Sequence, residues 1–147
     1  MAGAAELTQL INSFQSVAVA SCDDPTWRTQ LGERLSTLRR AFAEHVGLTE
    51  GPDGLYHELL DQAPRLASGV DGLVREHREL LQAMEGLSAR VEAGDGAVVP
   101  EPPVVRPEEI DQVRGWASEL LRELHEHRQR GADLVYEAYG TDLGGET

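Results

Sequence analysis

The dipeptide Glu-His occurs three times in this sequence, as Glu44-His45, Glu76-His77 and Glu126-His127. Around each pair the apolar residues recur at intervals of three and four, the period of one helix face. His45 falls in line with Phe42, His77 with Leu73 and Val74, and His127 with Leu124. An imidazole on a buried face needs partners for its ring nitrogens. Three that converge from neighbouring helices either bond to side chains and carbonyls or hold a metal ion. In the second case three neutral imidazoles with one open coordination position suit zinc or non-haem iron. Glu44, Glu76 and Glu126 are each turned about 100° away from the stripe of their helix. From there a carboxylate can accept the outward N–H of a histidine on an adjacent helix and fix its tautomer; the alternative is an ordinary solvated glutamate.

The other groups with chemical potential are fewer. Tyr56, Tyr136 and Tyr139 offer phenols to a metal or hydroxyls to a buried network, or wet tips at helix ends; Tyr56 is the one expected to support the metal ligands, with Glu44, Glu76 and Glu126. His57 and His125 lie off the stripes and are expected at the surface. Cys22 is the single cysteine, which excludes an internal disulfide and a thiolate cluster. No glycine-rich phosphate loop, nucleophile elbow or Ser-His-Asp order occurs, so hydrolase and transferase chemistry of the familiar kinds has no support.

These residues must be positioned by helices, since nowhere do apolar residues alternate with period two. The first helix is expected from Glu6 to about Ala20, with Leu7, Leu10, Ile11, Phe14 and Val17 on one face. It ends at Ser21-Cys22-Asp23, a short turn that could act as a hinge. Asp24-Pro25 starts the second, a capping carboxylate followed by proline where the missing N–H is harmless. Its stripe is Trp27, Leu31, Leu35, Leu38, Phe42 and His45, and Gly51-Pro52-Asp53-Gly54 stops it. A short helix near Leu55 to Asp61 follows. Pro64 opens the third long helix, with Leu66, Val70, Leu73, Val74, His77, Leu81, Met84, Leu87 and Val91 inward. Residues 94–107, rich in glycine and proline, form an extended connection. The fourth long helix runs from Pro107, with Glu108 and Glu109 in its positively polarised first turn, through Ile110, Val113, Ala117, Leu120, Leu124, His127, Leu134 and Ala138. It ends by Gly140, which leaves 141–147 as a flexible tail. The expected fold is all-α, an antiparallel up-down four-helix bundle in a single domain over residues 1–147.

The segments His45-Val46-Gly47-Leu48-Thr49-Glu50, Arg75-Glu76-His77-Arg78-Glu79-Leu80 and His127 to Tyr136 resemble the helices of hemerythrin-like (HHE cation-binding) proteins, over roughly Leu35 to Tyr139. The resemblance implies a four-helix bundle that binds non-haem iron and handles or senses oxygen, nitric oxide or peroxide. Its ligand pattern asks for a histidine on the first helix, then His-x-x-x-Glu, His-x-x-x-His and His-x-x-x-x-Asp. His45, His77 and His127 match. Helix one has no histidine, and Thr49, Leu81 and Ala132 stand where further ligands belong. Glu50 and Asp133 each come one residue late and would need local unwinding or a bulge to reach a metal. The expectation is a mononuclear iron or zinc site of three imidazoles, with Glu50 and Asp133 as weaker candidates, rather than a bridged di-iron centre.

A formal charge of −13 repels phosphate backbones and anionic headgroups, which argues against nucleic acid and membrane partners. No leader or membrane span is visible, so a cytoplasmic location is expected. All thirteen basic residues are arginine. Two classes of function remain. In one, the bundle binds a metal and a small diatomic ligand; in the other, a metal-free bundle of the same kind serves as an interaction module, pairing as a homodimer or with another protein through an exposed apolar strip.

Overall fold

The computed structural model describes residues 4–20, 26–96 and 107–144. All regular structure in them is helical: α1 (Ala4–Ala18), α2 (Trp27–Glu50), α3 (Leu55–Gln62), a 3₁₀ turn (Pro64–Leu66), α4 (Ala67–Gly96) and α5 (Pro107–Gly144). Cys22, the hinge at 21–23 and the Asp24-Pro25 start lie outside the described residues, as do 97–106 of the inter-helix connection and 145–147. Three ends differ from expectation. The third long helix runs on to Gly96, through residues 94–96 expected in the connection. The fourth long helix continues to Gly144, through residues expected as a tail, because no proline interrupts its hydrogen-bond ladder there. The first stops at Ala18, and Val19 and Ala20 form a turn closed by N–H bonds to the carbonyls of Gln15 and Val17.

The stripes read from the sequence are the buried faces. Leu7, Ile11 and Phe14 of α1, Trp27, Leu31, Leu35, Leu38 and Phe42 of α2, Met84, Leu87 and Val91 of α4, and Val113, Ala117, Leu120 and Leu124 of α5 join one apolar cluster. Each large side chain withdrawn from water contributes about 1.5–3 kcal/mol. The stripe of α4 differs in one detail: Leu80 is buried, whereas Leu81 is half-buried and packs on the cluster from its edge. Each long helix packs on two others: α1 on α2 and α5, and α4 on α2 and α5. Four long helices therefore close into a helical bundle. Polar ties fasten its corners. The Trp27 indole N–H donates to the Val17 carbonyl at 2.8 Å, joining the end of α1 to the start of α2. Arg28 donates through Nε to the Val91 carbonyl at 3.0 Å, tying α2 to the far end of α4.

A second, smaller cluster lies beyond the histidines. Tyr56 and Leu59 of α3, Ala63, Leu66, Val70 and Leu73, and Leu134 and Ala138 of α5 compose it. Here α3 turns back sharply from α2. Gly51 N–H bonds to the Gly47 carbonyl at 3.0 Å, Gly54 N–H to the Gly51 carbonyl at 2.9 Å, and Glu58 N–H to the Gly54 carbonyl at 3.2 Å. Gly54 is buried against the end of α2, where a Cβ would collide with the carbonyl oxygens of Leu48 and Thr49. That close approach brings Tyr56 in under the histidines. Among the described residues, no helix is long and apolar enough to cross a membrane. Replacing Gly54 by alanine must push α3 off α2, and the expected cost in a urea unfolding experiment is about 1–3 kcal/mol; Gly72→Ala, with open space around its Cβ position, serves as the comparison and should change stability little.

Candidate metal centre

Between the two apolar clusters the core is polar. His77 is fully buried, His127 nearly so and His45 half-buried. Their ring centroids are 4.8 Å apart for His77 and His127, 5.4 Å for His45 and His77, and 6.5 Å for His45 and His127. One donor atom from each lies within 4.8 Å of the other two, close enough for the three to hold a metal ion. Phe42, one turn before His45, touches all three rings, with centroids 5.7, 5.5 and 6.0 Å away. It forms the dry wall between the histidines and the larger cluster.

Two of the three rings are held from behind. His77 donates Nδ1–H to the Glu50 carboxylate at 2.6 Å, and His127 donates Nδ1–H to the Glu76 carboxylate at 2.8 Å. A carboxylate on Nδ1 fixes the tautomer and leaves the Nε2 lone pair turned to the opposite side, the arrangement common behind metal-bound imidazoles. The second oxygen of Glu76 is bound by Arg130 Nε at 2.5 Å. Nε2 of His77 meets the Tyr56 hydroxyl at 3.1 Å.

Each candidate taken from the sequence has a definite place. Glu76 stands behind the histidine of the neighbouring helix, the geometry its rotation off the stripe allows. Glu44 and Glu126 face solvent, and Glu126 pairs with Arg122 on its own helix at 2.7 Å. Glu50 takes a different part from the ligand expected. With α2 helical through residue 50, five residues turn its side chain about 140° from His45. It therefore reaches α4 and binds the outer nitrogen of His77. Asp133 is exposed and accepts from Gln129 at 2.8 Å on the same helix, since α5 has no bulge at Gly131 to swing it inward. Thr49 is buried, and its hydroxyl donates back to the His45 carbonyl at 2.9 Å. His57, His125 and Tyr136 are exposed. Phe42 as a wall to the site, and the pairing of Glu50 with His77, are not legible in the sequence. Phe42 looks like any core aromatic, and no local spacing joins residues 27 positions apart.

The electrostatics follow from burial. Desolvation holds His45 down to about 4 from 6.5, aided by the repulsion of His77, His127 and Arg128. His127 is lowered as well, mainly by desolvation and partly against the pull of Glu76. Burial pushes the Tyr56 phenol up to about 12; its hydrogen bond with Thr49 works the other way, while Glu50 and Glu76 add to the rise. At neutral pH His45 and His127 are neutral imidazoles and Tyr56 is a neutral phenol. Neutral imidazole is the form that binds metal. The donor set and the carboxylates behind it thus fit a borderline divalent or trivalent transition-metal ion.

No family model, curated protein or solved structure matches the chain.

The lowered histidines set a pH dependence for the metal-free protein. Because His45 and His127 bind protons less readily folded than unfolded, the unfolded chain takes up protons first as pH falls. Stability should be full above about 6.5 and decline between there and about 4. Urea unfolding at pH 7.0, 6.0 and 5.0 should show this decline, and His45→Gln should flatten it.

Proposed function

We propose that this chain is a hemerythrin-like, antiparallel up-down bundle that holds one metal ion, iron in the first instance, through His45, His77 and His127. It uses that ion to handle or sense oxygen, nitric oxide or a peroxide. The observation that carries this reading is the convergence of three imidazoles with donor atoms within 4.8 Å, two of them oriented by carboxylates on Nδ1. Hydrogen bonds alone would explain a buried histidine. They do not explain why three imidazoles bring one donor atom each within 4.8 Å of one another. The up-down order is supported by contacts that run in reverse along neighbouring helices: Arg28 meets Val91 while His45 meets His77, and Gly69 approaches Leu134 while Arg90 lies over Trp116.

The ligand count favours one ion over two. Thr49 spends its hydroxyl on the His45 carbonyl, Leu81 packs against the apolar cluster, and Ala132 is exposed with no donor. A bridged pair of ions would lack four of the seven ligands the pattern asks for. A bound iron would supply reversible binding of a small ligand at a coordination position that protein atoms do not fill. The chain's own residues would do the rest. Glu50 and Glu76 orient His77 and His127 and fix their tautomers. Phe42 and Tyr56, both buried, flank the rings and exclude bulk water. Arg130 steadies Glu76 from the surface side.

Elemental analysis of untagged protein grown with iron and zinc supplied should return about one metal per chain. His77→Ala should lose it, and Glu76→Gln, which keeps the volume but removes the charge behind His127, should weaken it about 10- to 100-fold. Full stoichiometry in His77→Ala would refute the site. A well-folded wild type free of metal would instead favour the interaction module.

A further inference from the structure

Tyr56 has more to do than fill space. It sits in the first turn of α3, buried, with its ring stacked on His77 at 5.6 Å between centroids and 18° between planes. Its hydroxyl lies 3.1 Å from Nε2 of His77. Nδ1 of that ring is committed to Glu50, so Nε2 is the nitrogen left to bind a metal. A metal there and the hydrogen bond from Tyr56 exclude each other. The hydroxyl must therefore find a new role when the site is loaded.

The distance says which role. Two donors about 2.0–2.1 Å from one ion, at the angles of an octahedral or tetrahedral shell, lie about 2.9–3.4 Å apart. The 3.1 Å between Tyr56 Oη and His77 Nε2 falls inside that range, so the two atoms are spaced as two ligands of one ion are. We infer that Tyr56 is the fourth protein ligand of the metal, binding as a phenolate and making the centre one of three nitrogens and one oxygen that favours ferric iron. This rests on the three-histidine metal site proposed above. As the metal–oxygen bond forms, the O–H bond of Tyr56 breaks and its proton passes to solvent; nothing is oxidised or reduced in that step. The oxygen is a hard anionic donor, which the three imidazoles alone do not provide and which a trivalent ion prefers. The sharp return of the chain at Gly54, where only glycine fits, is what holds the phenol at this spot. Neither Tyr136, exposed on α5, nor Tyr139 has a hydrogen bond with the three histidines among the described residues.

The test is a spectrum and a metal count on the same samples. Wild type, Tyr56→Phe and Tyr136→Phe are loaded with ferrous iron under argon and then exposed to air. The expected result is a visible phenolate-to-iron(III) charge-transfer band in wild type and Tyr136→Phe. Tyr56→Phe should lack the band while still binding iron, with an affinity at least about tenfold weaker. Wild type that holds iron but shows no such band, or a band that survives in Tyr56→Phe, would overturn the assignment and leave the three-histidine site standing. Wild type that binds no iron would overturn the site itself. Resonance Raman on loaded wild type grown with ring-deuterated tyrosine tests the ligand without a substitution at Tyr56: shifted tyrosinate modes support it, and their absence rejects it.

Discussion

Three imidazoles buried side by side in an otherwise apolar bundle impose the constraint on which this structure turns. Each ring has two nitrogens that cannot be left dry without cost, and protonating His45 or His127 is resisted by burial and by the neighbouring His77 ring, as the depression of His45 to about 4 shows. The fold answers with carboxylates placed at the rim, one oxygen toward the ring and the remainder toward water or an arginine. Glu50 and Glu76 are both only partly buried, so each keeps some hydration while holding an imidazole that has none. The polar layer is thereby kept one residue thick, and apolar clusters can close on either side of it.

That layer makes α3 necessary. Without it, α2 would end at Glu50 and the histidines would face solvent on the side away from Phe42. The short return through Gly51 and Gly54 lays Tyr56 and Leu59 beneath them and joins Leu66, Val70, Leu73 and Leu134 into a lower core. The same turn sets three polar groups at once. Thr49 is folded back onto its own helix, Glu50 projects to α4, and Tyr56 comes up from below. Helix end, carboxylate and phenol are thus consequences of one tight backbone approach.

The surface behaves differently from the site. Arg122 pairs with Glu119 and Glu126 on an exposed stretch of α5, and such pairs contribute little to stability in water. The chain carries a net charge of −13, and most of the carboxylates among the described residues lie on such exposed faces. Near the histidines it has a local effect, since Glu50, Glu76 and the general field all favour a cation at the point where the imidazoles meet.

The helices, their inward faces and the three histidines were legible in the sequence alone, because the period of 3.6 residues ties spacing to face regardless of what the face packs against. His45, His77 and His127 each fell in line with leucines or phenylalanine, and burial followed. Glu76 was legible for a related reason: its rotation from His77 pointed it at a neighbouring helix. What local spacing could not give was the meeting of residues distant in the chain. Glu50 read as a ligand displaced by one residue, yet the crossing of α2 and α4 sends it to the back of His77. Asp133 read as its counterpart on α5, yet an unbroken helix carries it to the surface. Tyr56 read as a residue supporting the ligands, and only the turn at Gly54 sets its oxygen beside Nε2 of His77. Periodicity decides which side of a helix a residue is on; the packing of one helix against another decides what it finds there.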